Sequence, residues 1–302
     1  MGSKNKIIKD KGKSIRNRLL NISKEASYDY NLMLIRYVQE RMLYRLSKSK
    51  YRESFCLKGG ALLYAHNQLK SRPTIDIDFL AKNLNNDKEH IKSIFVEILS
   101  LPDEGDALTF NGEDITVNDI MEGKNYHGVS VSTKAWLDGM PIYLSIDIGF
   151  GDVTVPAPQE LAYPVILGEM PAFTVNAYSL ETVVAEKFHT MIDLSIYNSR
   201  MKDFFDLYTI LTTKELDSDS LTEAIKATFG NRRTAYADNH VLFTDGFFLD
   251  KTKNDQWNAF IRKIKYKDDL TFSDIGKVIQ EKMKPYWQSI PKIQSCLILT
   301  DC

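Results

Sequence analysis

The chain has 302 residues, 43% of them hydrophobic and 26% charged, with a formal net charge of −1. That leaves room for one large domain or two around an ordinary core, and no global excess of either sign points to nucleic acid or an anionic membrane. Cys56, Cys296 and Cys302 are too few and too scattered for a disulfide framework and lack a metal-ligand spacing, which fits a reducing cytosol.

The start, MGSKNKIIKDKGKSIRNRLL, is lysine-rich without an apolar core of signal-peptide length. It reads as a solvated, partly disordered leader, with RNA contact as the alternative. No later run approaches the ~20 apolar residues needed to cross a bilayer, so a cytoplasmic protein with no membrane partner is expected. From Ser27 to Leu46 the residues Leu32, Ile35, Val38, Met42 and Leu46 recur at helical spacing. SFCLKGGALLYAHNQL then reads as a turn at Gly59-Gly60 leading into a second helix.

Pro73 ends that segment by pushing Arg72 toward an extended conformation, and TIDIDFL follows as a strand. On it Asp76 and Asp78 share one face while Ile75, Ile77 and Phe79 take the other. Like charges held that close raise one another's pKa unless a cation joins them. After a helix near residues 88 to 100, VSVSTKAWL and PIYLSIDIGF read as antiparallel strands joined at Asp138-Gly139, the second carrying Asp147. The fold class is therefore α/β or α+β, a mixed sheet flanked by helices. Prolines in GDVTVPAPQELAYPVILGEMP mark the boundary, giving expected domains 1–160 and 161–302, the second mainly helical to about Pro285.

Each chemical feature has a plain reading beside the functional one. A Gly-Gly turn ahead of a helix seats a phosphate on backbone N–H groups, and it also serves any tight turn. Paired carboxylates suit a metal, and they also suit an edge strand with a wet face. Asp147 suits either a metal or a local hydrogen bond. On a helix from about Ser199 to Leu211, Phe204, Leu207, Tyr208 and Leu211 form the inward stripe, with Asp203 at its edge and Asp206 further round toward solvent, paired with Lys202 at most. Lys187 either snorkels or meets phosphate charge, and Arg72 either forks onto phosphate or makes a surface ion pair. His66, His127 and His189 have no metal-binding spacing and read as structural or surface residues.

Taken in order, YVQERMLYRLSKSKYRESFCLKGGALLY, RPTIDIDF, IDIGFGDVTVP, AEKF and RMKDFFDLY resemble the AbiEii/AbiGii nucleotidyltransferase toxins of type IV toxin–antitoxin and phage-defence systems, over roughly residues 18 to 211. The resemblance implies a nucleotidyltransferase core that binds a nucleoside triphosphate and Mg2+, or Mn2+ in its place. It makes Lys58, Gly59 and Gly60 the phosphate-binding turn; Arg72 and Thr74, just before the acidic strand, are read from their position as further nucleotide contacts. Asp76, Asp78 and Asp147 become the metal-binding carboxylates, and Lys187 and Asp203 further catalytic positions in a helical part that closes the cleft. The Gly-Ser turn of the wider superfamily is Gly59-Gly60 here, so backbone donors replace the hydroxyl. The implied partners are an RNA acceptor such as the 3′ end of tRNA and a cognate antitoxin. Arg232, Arg233, Lys263, Lys265 and Lys267, interleaved with Tyr236, Trp257 and Tyr266, form a candidate acceptor groove or a solvated helical surface. A nucleotide-binding regulator without transfer, or transfer to a protein or small molecule, remains an alternative.

Overall fold

The computed structural model describes residues 10–102, 105–122, 126–234 and 236–290, the side chains of residues 121, 122, 126 and 127 excepted. The chain divides into two compact units: residues up to Gly151 with Gln159–Ala177, and Asp152–Pro158 with the residues from Tyr178 on. Among the described residues no helix is long and apolar enough to cross a membrane.

The first unit begins with a helix where a solvated leader was expected. Asp10 caps α1 (Lys11–Glu25) by accepting from the Lys13 N–H, and Ile15 and Leu19, four residues apart, are both fully buried. Residues 1–9 lie outside the described part. α2 (Tyr30–Lys48) is capped by Asp29 and covers the back of the sheet with α4 (Lys88–Leu99). Between them lie β1 (Phe55–Lys58), α3 (Gly59–Asn67) and β2 (Asp76–Ala81). Ile75, just ahead of β2, is exposed and does not join the apolar face expected for it.

Six more strands complete the sheet: β3 (Leu108–Phe110), β4 (Thr116–Glu122), β5 (Tyr126–Leu137), β6 (Met140–Phe150) and, past the proline-rich stretch, the hairpin β7 (Gln159–Tyr163) and β8 (Phe173–Ala177). The order is β3-β5-β6-β2-β1-β8-β7, with β4 also on β5. The pairs β2–β6 and β1–β8 are parallel and the rest antiparallel, which makes the sheet mixed. β5 and β6 meet at Asp138 and Gly139, whose positive φ values of 52° and 74° suit a two-residue hairpin turn.

α2 is more than an amphipathic helix. Val38, Met42 and Leu46 are buried as the periodicity predicts, but so are Arg36, Gln39, Glu40, Arg41 and Arg45. Asp106 meets Arg45 through both guanidinium nitrogens at 2.5 and 3.3 Å and lies 3.5 Å from Arg41 Nε. The same carboxylate accepts from the Leu108 N–H, so the entry to β3 is tied to α2. Glu40 accepts from the Ile166 N–H at 2.7 Å, anchoring the β7–β8 connection.

The second unit is helical: α5 (Leu180–Leu194), α6 (Met201–Thr213), α7 (Ser218–Asn231), α8 (Asp245–Leu249), α9 (Lys251–Ile264) and α10 (Phe272–Ser289). Ser179 caps α5 by accepting from the Thr182 N–H, and Thr182 in turn donates to the Val155 carbonyl, binding the connecting segment to this unit. Its core is aromatic, with Phe188, Phe204, Phe205, Trp257, Phe272 and Trp287 buried in mutual ring contact. α10 continues through Pro285 because Trp287, on its last turn, is buried there and donates to the Ala237 carbonyl.

Burial pushes the Glu40 carboxyl up from 4.5 to about 7, against the Ile166 N–H and the Arg41 charge, with Asp106 adding to the rise. A folded-state pKa raised above the unfolded value means that the folded form holds this proton longer. Stability from this site is therefore present below about pH 4.5 and declines, by about 1.4 kcal/mol per pH unit at most, up to about pH 7. Glu40→Gln should flatten that part of the curve in chemical denaturation measured across the range.

Candidate active site

Three neighbouring strands bring the sequence candidates of the first unit together. β1 pairs antiparallel with β2 so that Lys58 faces Asp78, and β2 pairs parallel with β6 so that Asp78 faces Asp147 and Asp76 faces Ser145. Paired residues point to the same side of a sheet, with neighbouring strands about 4.8 Å apart. Lys58, Asp78 and Asp147 thus form one row, with Asp76 two residues further along β2. All are partly buried, while the alternate residues Ile77, Phe79, Ile146 and Ile148 lie in the core. Ser130, the partner of Asp147 on β5, donates its hydroxyl to Asp147 Oδ1 at 2.7 Å.

The turn after β1 explains its glycines. Gly59 has φ +66°, and a Cβ there would run into the Asp78 carboxylate, lying 2.5 Å from its Cγ. Only glycine lets the backbone pass this close to Asp78. A Cβ on Gly60 would lie 2.7 Å from the Thr74 side chain, so the second glycine makes room for Thr74 and the approach to β2. α3 starts at Gly59 with no side-chain cap hydrogen bond, and the N–H groups of its first turn are donors suited to a phosphate. Thr74 lies within 3.4 Å of the Asp76 carbonyl and Arg72 within 3.4 Å of the Pro73 carbonyl, both on the segment leading into β2.

The oxygen donors suit a hard divalent cation. Among the described residues no group of three or more His, Cys, Asp or Glu side chains stands ready to hold an ion. One or two of the carboxylates Asp76, Asp78 and Asp147 would suit Mg2+ or Mn2+ only as in sites where the ion is shared with substrate phosphates and water.

The helical unit holds its own charge cluster. Lys187 Nζ on α5 donates to Asp203 Oδ1 and to Asp206 Oδ2 on α6, each at 2.8 Å, and Arg200 Nε donates to Asp203 at 2.7 Å. Burial alone would raise the Asp203 carboxyl, but the Lys187 and Arg200 charges hold it well below the usual carboxylate range. Asp206 is the correction. It is 2% exposed and grips Lys187, where helical geometry placed it toward solvent. α6 packs against α5, α9 and α10 at once, so a single inward stripe does not describe it.

The basic and aromatic residues of this unit do not interleave on a surface. Trp257 is fully buried and donates to the Leu270 carbonyl, Tyr266 packs on Phe205, and Tyr236 stacks on Trp287. Arg232 is held by Asp152 at 3.0 Å, whereas Arg233, Lys263, Lys265 and Lys267 are exposed. His189 is buried against Thr234 and Arg232, and burial followed by the Arg232 charge lowers its pKa to about 4, so it is a neutral structural residue. The His127 side chain lies outside the described residues.

A sequence model of the family described as "Nucleotidyl transferase AbiEii toxin, Type IV TA system" matches residues 41–288. No curated protein sequence matches the chain. Among solved structures, a Helicobacter pylori protein provisionally assigned as a nucleotidyltransferase is similar at 12% identity and a TM-score of 0.49, over 87% of this chain and 97% of that one. JHP933 from Helicobacter pylori is similar at 13% identity and a TM-score of 0.45, over 91% and 97%.

Gly59→Ala should disturb the Asp78 carboxylate and strain the turn by about 1–2 kcal/mol. Nucleotide affinity, read by calorimetry, should fall while circular dichroism stays that of wild type. Asp206→Ala should cost about as much stability as Asp203→Ala, on the order of 3–5 kcal/mol, since each removes a carboxylate from a buried cation. Chemical denaturation of the two variants in parallel checks this.

Proposed function

This chain belongs to the AbiEii nucleotidyl transferase toxin family of type IV toxin–antitoxin systems, and on that premise we propose that it moves a nucleoside monophosphate from a nucleoside triphosphate onto a hydroxyl of RNA, such as the 3′ end of tRNA. The observation that carries the reading is the row Lys58, Asp78 and Asp147 beside the Gly59-Gly60 turn. A cation, a phosphate seat and carboxylates on one sheet face are what in-line phosphoryl chemistry needs.

In the proposed reaction the triphosphate rests on the first-turn N–H groups of α3, with Lys58, Arg72 and Thr74 as further contacts. The acceptor hydroxyl oxygen bonds to the α-phosphorus as the bond from that phosphorus to the bridging oxygen breaks, and pyrophosphate leaves with the electron pair. Asp147, oriented by Ser130, takes the hydroxyl proton. Asp76 and Asp78 would hold Mg2+ or Mn2+, with Asp147 as a third ligand where it does not serve as the base, and the ion would supply neutralisation of the triphosphate and a lowered pKa for the attacking hydroxyl. Lys187, with Asp203 and Asp206 fixing its ammonium, stands as a further catalytic candidate of the helical unit. Blocking the RNA end would arrest growth, and a cognate antitoxin would relieve it.

Nucleotide carrying a labelled α-phosphate, incubated with total RNA and Mg2+, should place label on RNA. Asp78→Asn should abolish that transfer, by about 10²-fold or more, together with growth inhibition. Label on protein instead of RNA overturns the acceptor, and a fully active Asp78→Asn protein overturns the mechanism.

A further inference from the structure

The sheet face that carries Asp78 and Asp147 continues past them. β2 begins at Asp76, opposite Ser145, but β6 runs on toward the turn at Asp138 and Gly139, paired with β5 as far as Leu137 and Met140. Along this extension the pleat alternates. Thr133, Ala135, Leu137, Ile142 and Leu144 are buried, and the opposite face presents Lys134 and Trp136 on β5 with Pro141 and Tyr143 on β6. Tyr143 is 70% exposed and Trp136 37%. Lys134 Nζ lies 5.4 Å from the centre of the Tyr143 ring.

By strand period, Tyr143 is on the face of Asp147, about 13 Å away, and Trp136, opposite Pro141, is about 20 Å away. Between Asp147 and the turn, β5 and β6 place serines and Lys134 on this face and no acidic side chain. Large rings left in water on a regular strand forgo the burial that stabilises such residues elsewhere. Trp136 and Tyr143 are diagonal neighbours on this face, with Lys134 directly opposite Tyr143, and two adjacent rings beside a cation suit the stacking of successive bases along a phosphate backbone.

We propose that Trp136, Tyr143 and Lys134 form a platform for single-stranded nucleic acid, stacking bases that lie behind the acceptor end while that end reaches Asp147. This rests on the reading above that RNA is the acceptor. Stacking on aromatic rings is tolerant of sequence, and Lys134, already against the Tyr143 ring, is placed to meet a backbone phosphate.

The test is the affinity of a short 5′-labelled single-stranded RNA by fluorescence anisotropy with Mg2+ present, beside nucleotide affinity by calorimetry and KM against kcat for transfer. The double variant Trp136→Ala with Tyr143→Ala should weaken RNA binding by about 30-fold or more and raise KM for RNA, with nucleotide affinity and kcat unchanged. Trp136→Phe and Tyr143→Phe, which keep a ring, should restore most of the affinity. Platform-dependent RNA binding without nucleotide transfer supports the platform and removes the transferase-on-RNA reading. Wild-type protein that does not bind the RNA, a double variant that binds it as tightly as wild type, or one that instead loses only a co-expressed protein partner would overturn the platform.

Discussion

The residue-for-residue parallel pairing of β2 with β6 is the constraint on which the candidate site depends. A slip of one residue would turn Asp78 into the core or bring Ile146 out beside it, since a strand's side chains alternate faces. The apolar half of each strand prevents the slip. Ile77, Phe79, Ile146 and Ile148 are almost wholly buried against the helices behind the sheet, and their burial sets the register that aligns the carboxylates in front. β1 adds Lys58 to the same row from the other side, and its exit through Gly59 is possible only because that residue lacks a Cβ.

Both units bury charge, and in each case the ions connect separate chain segments. In the first, Asp106 joins the start of β3 to Arg45 of α2, and Glu40 of the same helix holds the β7–β8 connection. In the second, Lys187 of α5 is gripped by two carboxylates of α6. Desolvation takes back much of the Coulomb gain in such pairs, so their worth lies in specifying which segment meets which; removing one partner is what costs heavily.

Errors in reading the helices share a cause. The Lys11–Glu25 segment looks like a solvated leader by charge, yet Ile15 and Leu19 suffice to dock it once a neighbouring helix exists. Asp206 looks exposed on a wheel with one apolar stripe, and Trp257 looks like a surface aromatic among lysines; both sit in a unit whose helices are covered on several sides. Periodicity finds the first buried face of a helix and says nothing about a second.

The amino-acid sequence by itself determined the α/β class, the family and the local geometry that depends on near neighbours. Asp76 and Asp78 share a face because side chains alternate along a strand, and Ser179 caps α5 because a short hydroxyl side chain at that position reaches a helix N–H. The two-residue turn at Asp138 and Gly139 even implies that Ser130 lies opposite Asp147, since pairing counts outward from the turn. Only the tertiary structure decided that Lys58, Asp78 and Asp147 form one row and that Asp203 and Asp206 both hold Lys187. Only it left Trp136 and Tyr143 exposed on the carboxylate face. Those relations join segments far apart in the chain, and they follow from which surfaces are buried together, a property of the packed whole that no window of sequence contains.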